Sequence, residues 1–138
     1  MSINLSSQNT TEIKSDIGQI NLVEDFIYAN CEACNFNPDS IGNVIISVTE
    51  AVNNAIVHGN KSDASKSINI TVSKIENALN IEVEDQGDGF NFDNLPDPTA
   101  PENLEKEHGR GVFLMRSLSD NVDFENNGSK VVLTFYNG

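Results

Sequence analysis

Three short segments hold the residue types that could do chemistry. The first, VTEAVNNAIVHGN at residues 48–60, sets Glu50 and Asn54 one helical turn apart, so that both side chains leave the same face. An asparagine carbonyl oxygen is a hard ligand that can hold Mg²⁺ beside phosphate oxygens and waters, and a carboxylate one turn away can take a proton from an incoming nucleophile. Alone the spacing is weak, because the wet side of any polar helix looks the same. Asn53 and His58 lie in the same segment. A lone histidine at a helix end is as readily a satisfied polar group as a site neighbour.

The second segment is EDQGDGF, residues 84–90, at the end of an expected strand. Gly87 and Gly89 allow a tight turn with close backbone approach to a ligand, and an ionised Asp85 can accept a hydrogen bond from an exocyclic amine such as that of adenine. An isolated D-x-G-x-G is also a plain acidic turn. The third segment, HGRGVFLM at residues 108–115, puts Gly109 and Gly111 ahead of an expected helix. Outward amides at such a start make an anion site. Arg110 could help to hold phosphate, or could simply be solvated.

The elements that must position these residues follow from hydrophobic periodicity. Ile3 and Leu5 suggest a first strand. Ile13, Ile17, Ile20, Val23 and Ile27 recur at helical intervals. A second helix should start with Asp39 or Ser40 as its cap and run to His58, where Gly59 and Asn60 provide a stop. Its stripe is Ile41, Ile45, Val48, Val52 and Ile56, while Glu50, Asn53 and Asn54 point the other way beside Ile46 and Val57, a face apolar enough to line a pocket. Ile68, Ile70 and Val72 alternate with polar residues, as do Leu79, Ile81 and Val83, which predicts a hairpin turning near Asn77. Residues 90–108 show no periodicity and contain Pro96, Pro98 and Pro101, the profile of a long functional loop. A third helix follows the glycines, and residues 120–125 and 130–136 form a second hairpin around Asn127-Gly128. The fold class is therefore α+β, with a sheet layered on helices.

Composition narrows the function. The chain has 138 residues, the size of one domain. Its 21 acidic and 8 basic side chains leave a net charge of -13. Such a surface repels nucleic acid and anionic lipid, so direct DNA binding is not expected and a macromolecular partner should be a protein. No apolar run approaches the ~20 residues of a membrane span, and the polar start is unlike a signal peptide, which points to the cytoplasm without membrane attachment. Cys31 and Cys34 form an isolated C-x-x-C with no second ligand pair for a closed zinc site, and are read as reduced structural thiols.

In order, the three segments resemble the N, G1 and G2 boxes of the GHKL (histidine-kinase-like) ATPases. The stretch FDNLPDPTAPENLEKEHGRGVFLMRSLSDNVDFENNG further resembles the lid and G2 region of the anti-sigma-factor serine-protein kinases. The resemblance implies one ATPase domain over residues 1–138, a two-layer α/β sandwich of the Bergerat type with a mixed, mostly antiparallel sheet and an ATP lid at approximately residues 92–108. By position it implies Glu50 as general base, Asn54 as Mg²⁺ ligand and Asp85 as acceptor of the adenine amine. Gly87, Gly89, Gly109 and Gly111 frame ATP or ADP, with Asn53, His58 and Arg110 nearby. The implied activity is transfer of the ATP γ-phosphoryl group to a serine of an anti-sigma-factor antagonist with a STAS-type domain, regulating a sigma factor by partner switching. The rival is a nucleotide-gated binding module without kinase activity. Members of that family often form homodimers.

Overall fold

The computed structural model describes residues 8–87 and 107–137. Period-2 apolar alternation builds its sheet layer. Strands β2 (Ser67–Ile75) and β3 (Ala78–Glu84) form the expected antiparallel hairpin. Ile70 sits opposite Val83 and Val72 opposite Ile81. Strand β5 (Lys130–Tyr136) extends the same rows, with Val131 beside Val83, Leu133 beside Ile81 and Phe135 beside Leu79. One face of the sheet is thus aliphatic across three strands, and all of these side chains are buried. Burial on that scale, at ~1.5–3 kcal/mol per large side chain, fixes the register, because a one-residue slip would turn each row into solvent.

Strands β1 (Gln8–Lys14) and β4 (Asn121–Glu125) complete the order β1-β2-β3-β5-β4. All four pairings are antiparallel, so no parallel pair occurs among the described residues. The second hairpin turns through a short 3-10 segment, Asn126–Gly128, in which Asn126 and Gly128 have φ of 52° and 97°.

Three helices cover the aliphatic face. Helix α1 (Ile20–Ala33) starts later than the spacing suggests. Ile13 belongs to β1, where it is buried, and Ile17 to a single 3-10 turn capped by Asp16. The helical-looking interval between them spans a change of element. Ile3 and Leu5 lie outside the described residues. Helix α2 (Pro38–Asn54) begins one or two residues before the expected cap: Asn37 Oδ1 accepts the Asp39 amide at 3.0 Å, and Pro38 takes the first position, where its missing N–H costs nothing. α2 packs against α1, β3, β5 and α3 (Glu107–Leu118). Residues 38–59 are long and apolar enough to cross a membrane, contrary to the expectation of no such run. Half of that segment is buried in the protein, so its apolarity is that of the central core helix.

Candidate functional site

α2 does not end at the expected glycine stop. Residues Ala55–Gly59 widen into a π-turn, in which the Asn60 amide donates to Ala55 O at 2.8 Å and the Ser62 amide to Ile56 O at 2.7 Å. The left-handed residues that end the helix are Lys61 and Ser62 (φ 54° and 58°), while Asn60 itself is right-handed. A π-turn inserted at the end of a long helix is commonly a functional device. Here its effect is to bring Gly59 against the end of β3. A Cβ on Gly59 would collide with the Asp85 carboxylate, and one on Gly87 would collide with the Gly59 carbonyl. Gly87 is required by the close approach of the Gly59 backbone, and Gly59 by the Asp85 carboxylate packed on it.

Asp85 is held in this contact from several sides. Its amide donates to Ser129 O at 2.8 Å, and its Oδ1 accepts the Gly87 amide at 2.7 Å. Burial pushes its carboxyl above the ordinary carboxylate range, with the Gly87 amide opposing and Glu84 adding to the rise. A half-buried carboxylate held in this way is poised to gain from a donor supplied by a ligand.

One turn before the π-turn, α2 presents Glu50 and Asn54 to α3. The point where a Cβ on Gly111 would stand is 3.1 Å from Glu50 Oε2 and 3.3 Å from Asn54 Oδ1. A Cβ here would be a tight fit, moving Glu50 and Asn54 back by a few tenths of an ångström. Helix α3 therefore starts at Glu107 and carries Gly109 and Gly111 inside its first turns, not ahead of it as the spacing suggested. Glycine inside a helix costs ~1 kcal/mol relative to alanine, and at Gly111 the bare Cα leaves Glu50 and Asn54 the space they occupy. Asn54 is 7% exposed, and neither its Oδ1 nor its Nδ2 finds a hydrogen-bond partner among the described residues. A buried amide left unpaired costs on the order of 1–3 kcal/mol. Such a group fits a site completed from outside, and its oxygen is a donor of the hard type that Mg²⁺ takes.

Asn54 and the Gly59–Asp85 contact open on one small pocket, lined by Asn54, Gly59, Asp85, Met115, Phe124 and Ser129 among others. Its lining is mostly apolar with a few polar groups, the usual composition of a small-molecule site. Arg116 lies 5.7 Å from the centroid of the Phe124 ring and backs that wall. Asn54 and Asp85 thus line one pocket, and Gly111 packs against Asn54 and Glu50. Asn53 and His58 are half-buried beside the pocket without lining it, and Arg110 is exposed on the first turn of α3. Gly89 and residues 92–106 of the expected lid lie outside the described residues, and residues 107 and 108 open α3. Sequence reasoning missed Gly59, Met115, Phe124 and Ser129 as lining residues. Gly59 alone gives a signal in the sequence, that of a helix stop.

Residues 13–135 match the family model of the histidine kinase-like ATPase domain. The chain belongs to that GHKL-type family. It is similar to the serine-protein kinase RsbW of Bacillus subtilis, 33% identical over 105 residues that cover 71% of this chain and 66% of that protein. The RsbW of Oceanobacillus iheyensis is 32% identical over 108 residues, covering 73% and 68%. This chain thus spans about two thirds of the length of these relatives. A crystal structure of the RsbU and RsbW domains of a Mycobacterium tuberculosis protein matches with a TM-score of 0.68 at 14% identity, over 94% of this chain and 31% of that one, a likeness of fold.

Proposed function

We propose that this chain is an ATP-dependent serine-protein kinase of the anti-sigma-factor type, acting in the cytoplasm as a single ATPase domain. The observation that carries the reading is Asn54, which lies one turn from Glu50, lines the same pocket as Asp85 and is buried with no hydrogen-bond partner for its side chain among the described residues. Asp85 accepts the exocyclic amine of adenine, with Gly59 and Gly87 giving the base room to approach. Asn54 Oδ1 would hold Mg²⁺, whose charge would offset that of the triphosphate. Gly109, Arg110 and Gly111 lie on the phosphate side, and Glu50 takes the proton of the serine hydroxyl as it attacks. Phosphoryl transfer asks for positioning and charge neutralisation more than for covalent help, and these residues supply both. The partner is a STAS-type anti-sigma-factor antagonist, and a sigma factor is the output of the switch.

The test is incubation with γ-labelled Mg-ATP and a lysate of the source cells, beside Glu50→Gln. One small protein labelled on serine by the wild type alone supports the kinase. Intact ATP binding without transfer would instead favour a nucleotide-gated binding module.

A further inference from the structure

Asn60 lies just beyond the expected site and does not line the pocket. It is 1% exposed, and its amide is fully used. Nδ2 donates to Ser15 Oγ at 2.6 Å and to Ser67 O at 3.0 Å, while Oδ1 accepts the Gln86 amide at 2.8 Å. Gln86 returns the contact, since its Oε1 accepts the Ser67 amide at 2.7 Å. One side chain therefore joins the end of β1, the start of β2 and the turn after β3. The Asn60 amide also closes the π-turn on Ala55 O, so Gly59 and Gln86 are tied to the same residue.

The consequence falls on Asp85. The amide of residue 85 is fixed by Ser129 O and that of residue 87 by the Asp85 carboxylate itself. The peptide between them is fixed by Asn60 Oδ1. We infer that Asn60 is a positioning residue for base selectivity: by holding the Gln86 amide it keeps the Asp85 carboxylate turned toward the pocket. The inference rests on Asp85 reading the adenine amine. Without the Asn60 acceptor, the 85–86 peptide turns its N–H toward another partner, and the carboxylate leaves the line of the base.

The experiment compares wild type, Asn60→Ala and Asn60→Asp in fluorescent ATP- and GTP-analogue titrations, with thermal melting on the same samples. Asn60→Ala should lose about tenfold in the ATP-to-GTP affinity ratio, the equivalent of one hydrogen bond. Asn60→Asp keeps an acceptor for the Gln86 amide and should keep the ratio, although it melts lower because a carboxylate then faces Ser67 O. A folded Asn60→Ala with the wild-type ratio, or an Asn60→Asp that loses selectivity as the alanine does, overturns the role of Asn60. Should Asn60→Ala not fold, amide hydrogen exchange in the wild type decides: protection at Gln86 supports the clamp, and exchange at the rate of an open loop overturns it. A wild type that binds both analogues equally removes the adenine reading of Asp85 instead.

Discussion

The carboxylate of Asp85 occupies the space that a side chain on residue 59 would need, so the end of α2 and the end of β3 meet through a carboxylate packed on a bare Cα. The contact makes Gly59 part of the site, although it contributes no functional atom.

Gly59→Ala tests this directly. The new methyl must push Asp85 out, because the Gly59 carbonyl behind it is itself pressed against Gly87. Overpacking of this kind costs about 1–3 kcal/mol. The variant should show a lower denaturant midpoint, and nucleotide titration should show ATP affinity falling with little change for GTP. Wild-type selectivity in a folded Gly59→Ala would mean that Asp85 does not read the base.

Asp85 should also leave a pH signature. Its folded pKa is raised by burial, so the folded state favours the protonated carboxyl. Relative to the unfolded chain, this stabilises the protein below the ordinary carboxylate pKa of about 4 and is lost as pH rises through the folded value. At neutral pH the charged, part-dry carboxylate is therefore a liability that Asp85→Asn relieves. The variant should melt above wild type at pH 7, with the gap closing as pH falls toward 4. Adenine recognition has the opposite sign, since it needs the ionised acceptor. ATP affinity of the wild type should drop as pH is lowered through the raised pKa, and Asp85→Asn should show no such step.

How far the sequence alone reveals this site depends on how local each determinant is. The β2–β3 hairpin follows from strict alternation, because Ile70, Val72, Ile81 and Val83 report their own burial. Glu50 and Asn54 share a face through helix geometry, which is local as well. Ile13 and Ile17 misled, because one is buried in a strand and the other is 56% exposed on a 3-10 turn, yet their spacing imitates a helix. Gly59-Asn60 resembles an ordinary helix stop, and only the tertiary contact with Asp85 separates a stop from a π-turn. Asn60 is the extreme case. Its partners Ser15, Ser67 and Gln86 are 45, 7 and 26 residues away, so no window of sequence contains the hub.

Gly111 separates stability from chemistry. Alanine is the better helix former by roughly 1 kcal/mol, but its Cβ would stand 3.1 Å from Glu50 Oε2 and 3.3 Å from Asn54 Oδ1. Both must move by a few tenths of an ångström. Gly111→Ala should melt near wild type while serine phosphorylation slows by about tenfold, since small misplacements of reacting groups are expensive. A variant with normal transfer would show that this packing does not hold the reacting groups.

Glu50 and Asn54 should fail in different ways. Removing a general base costs on the order of 10²–10⁴ in rate, so Glu50→Gln should bind Mg-ATP normally and transfer phosphate slower by that factor. Asn54→Ala should lose at least about tenfold in Mg-dependent ATP affinity, with little loss of apo stability, because the amide it removes has no hydrogen-bond partner among the described residues. Calorimetric titration with and without Mg²⁺ separates the two. Equal ATP affinity for Asn54→Ala and wild type in Mg²⁺ would exclude Asn54 as the ligand.

The cysteine pair gives the last test, away from the pocket. Cys31 and Cys34 are free thiols, both buried near the C-terminal end of α1. Burial, with a smaller push from Cys34, raises Cys31 from the ordinary thiol value to about 12. The thiolate is the reactive form, so Cys31 should resist alkylation at pH 8 in the folded protein and react once urea exposes it. Linkage gives the matching stability curve. The stabilisation from a raised folded pKa is complete below the unfolded thiol pKa of about 9 and disappears as pH climbs toward 12, because only the unfolded chain then gains by releasing the proton. Urea midpoints of the wild type should fall between pH 8 and pH 10, and Cys31→Ala should flatten the part of that slope due to this thiol. Rapid alkylation of Cys31 at pH 8 without denaturant would show a thiol in contact with solvent, and with it an α1 packed less tightly on the sheet than the structure has it.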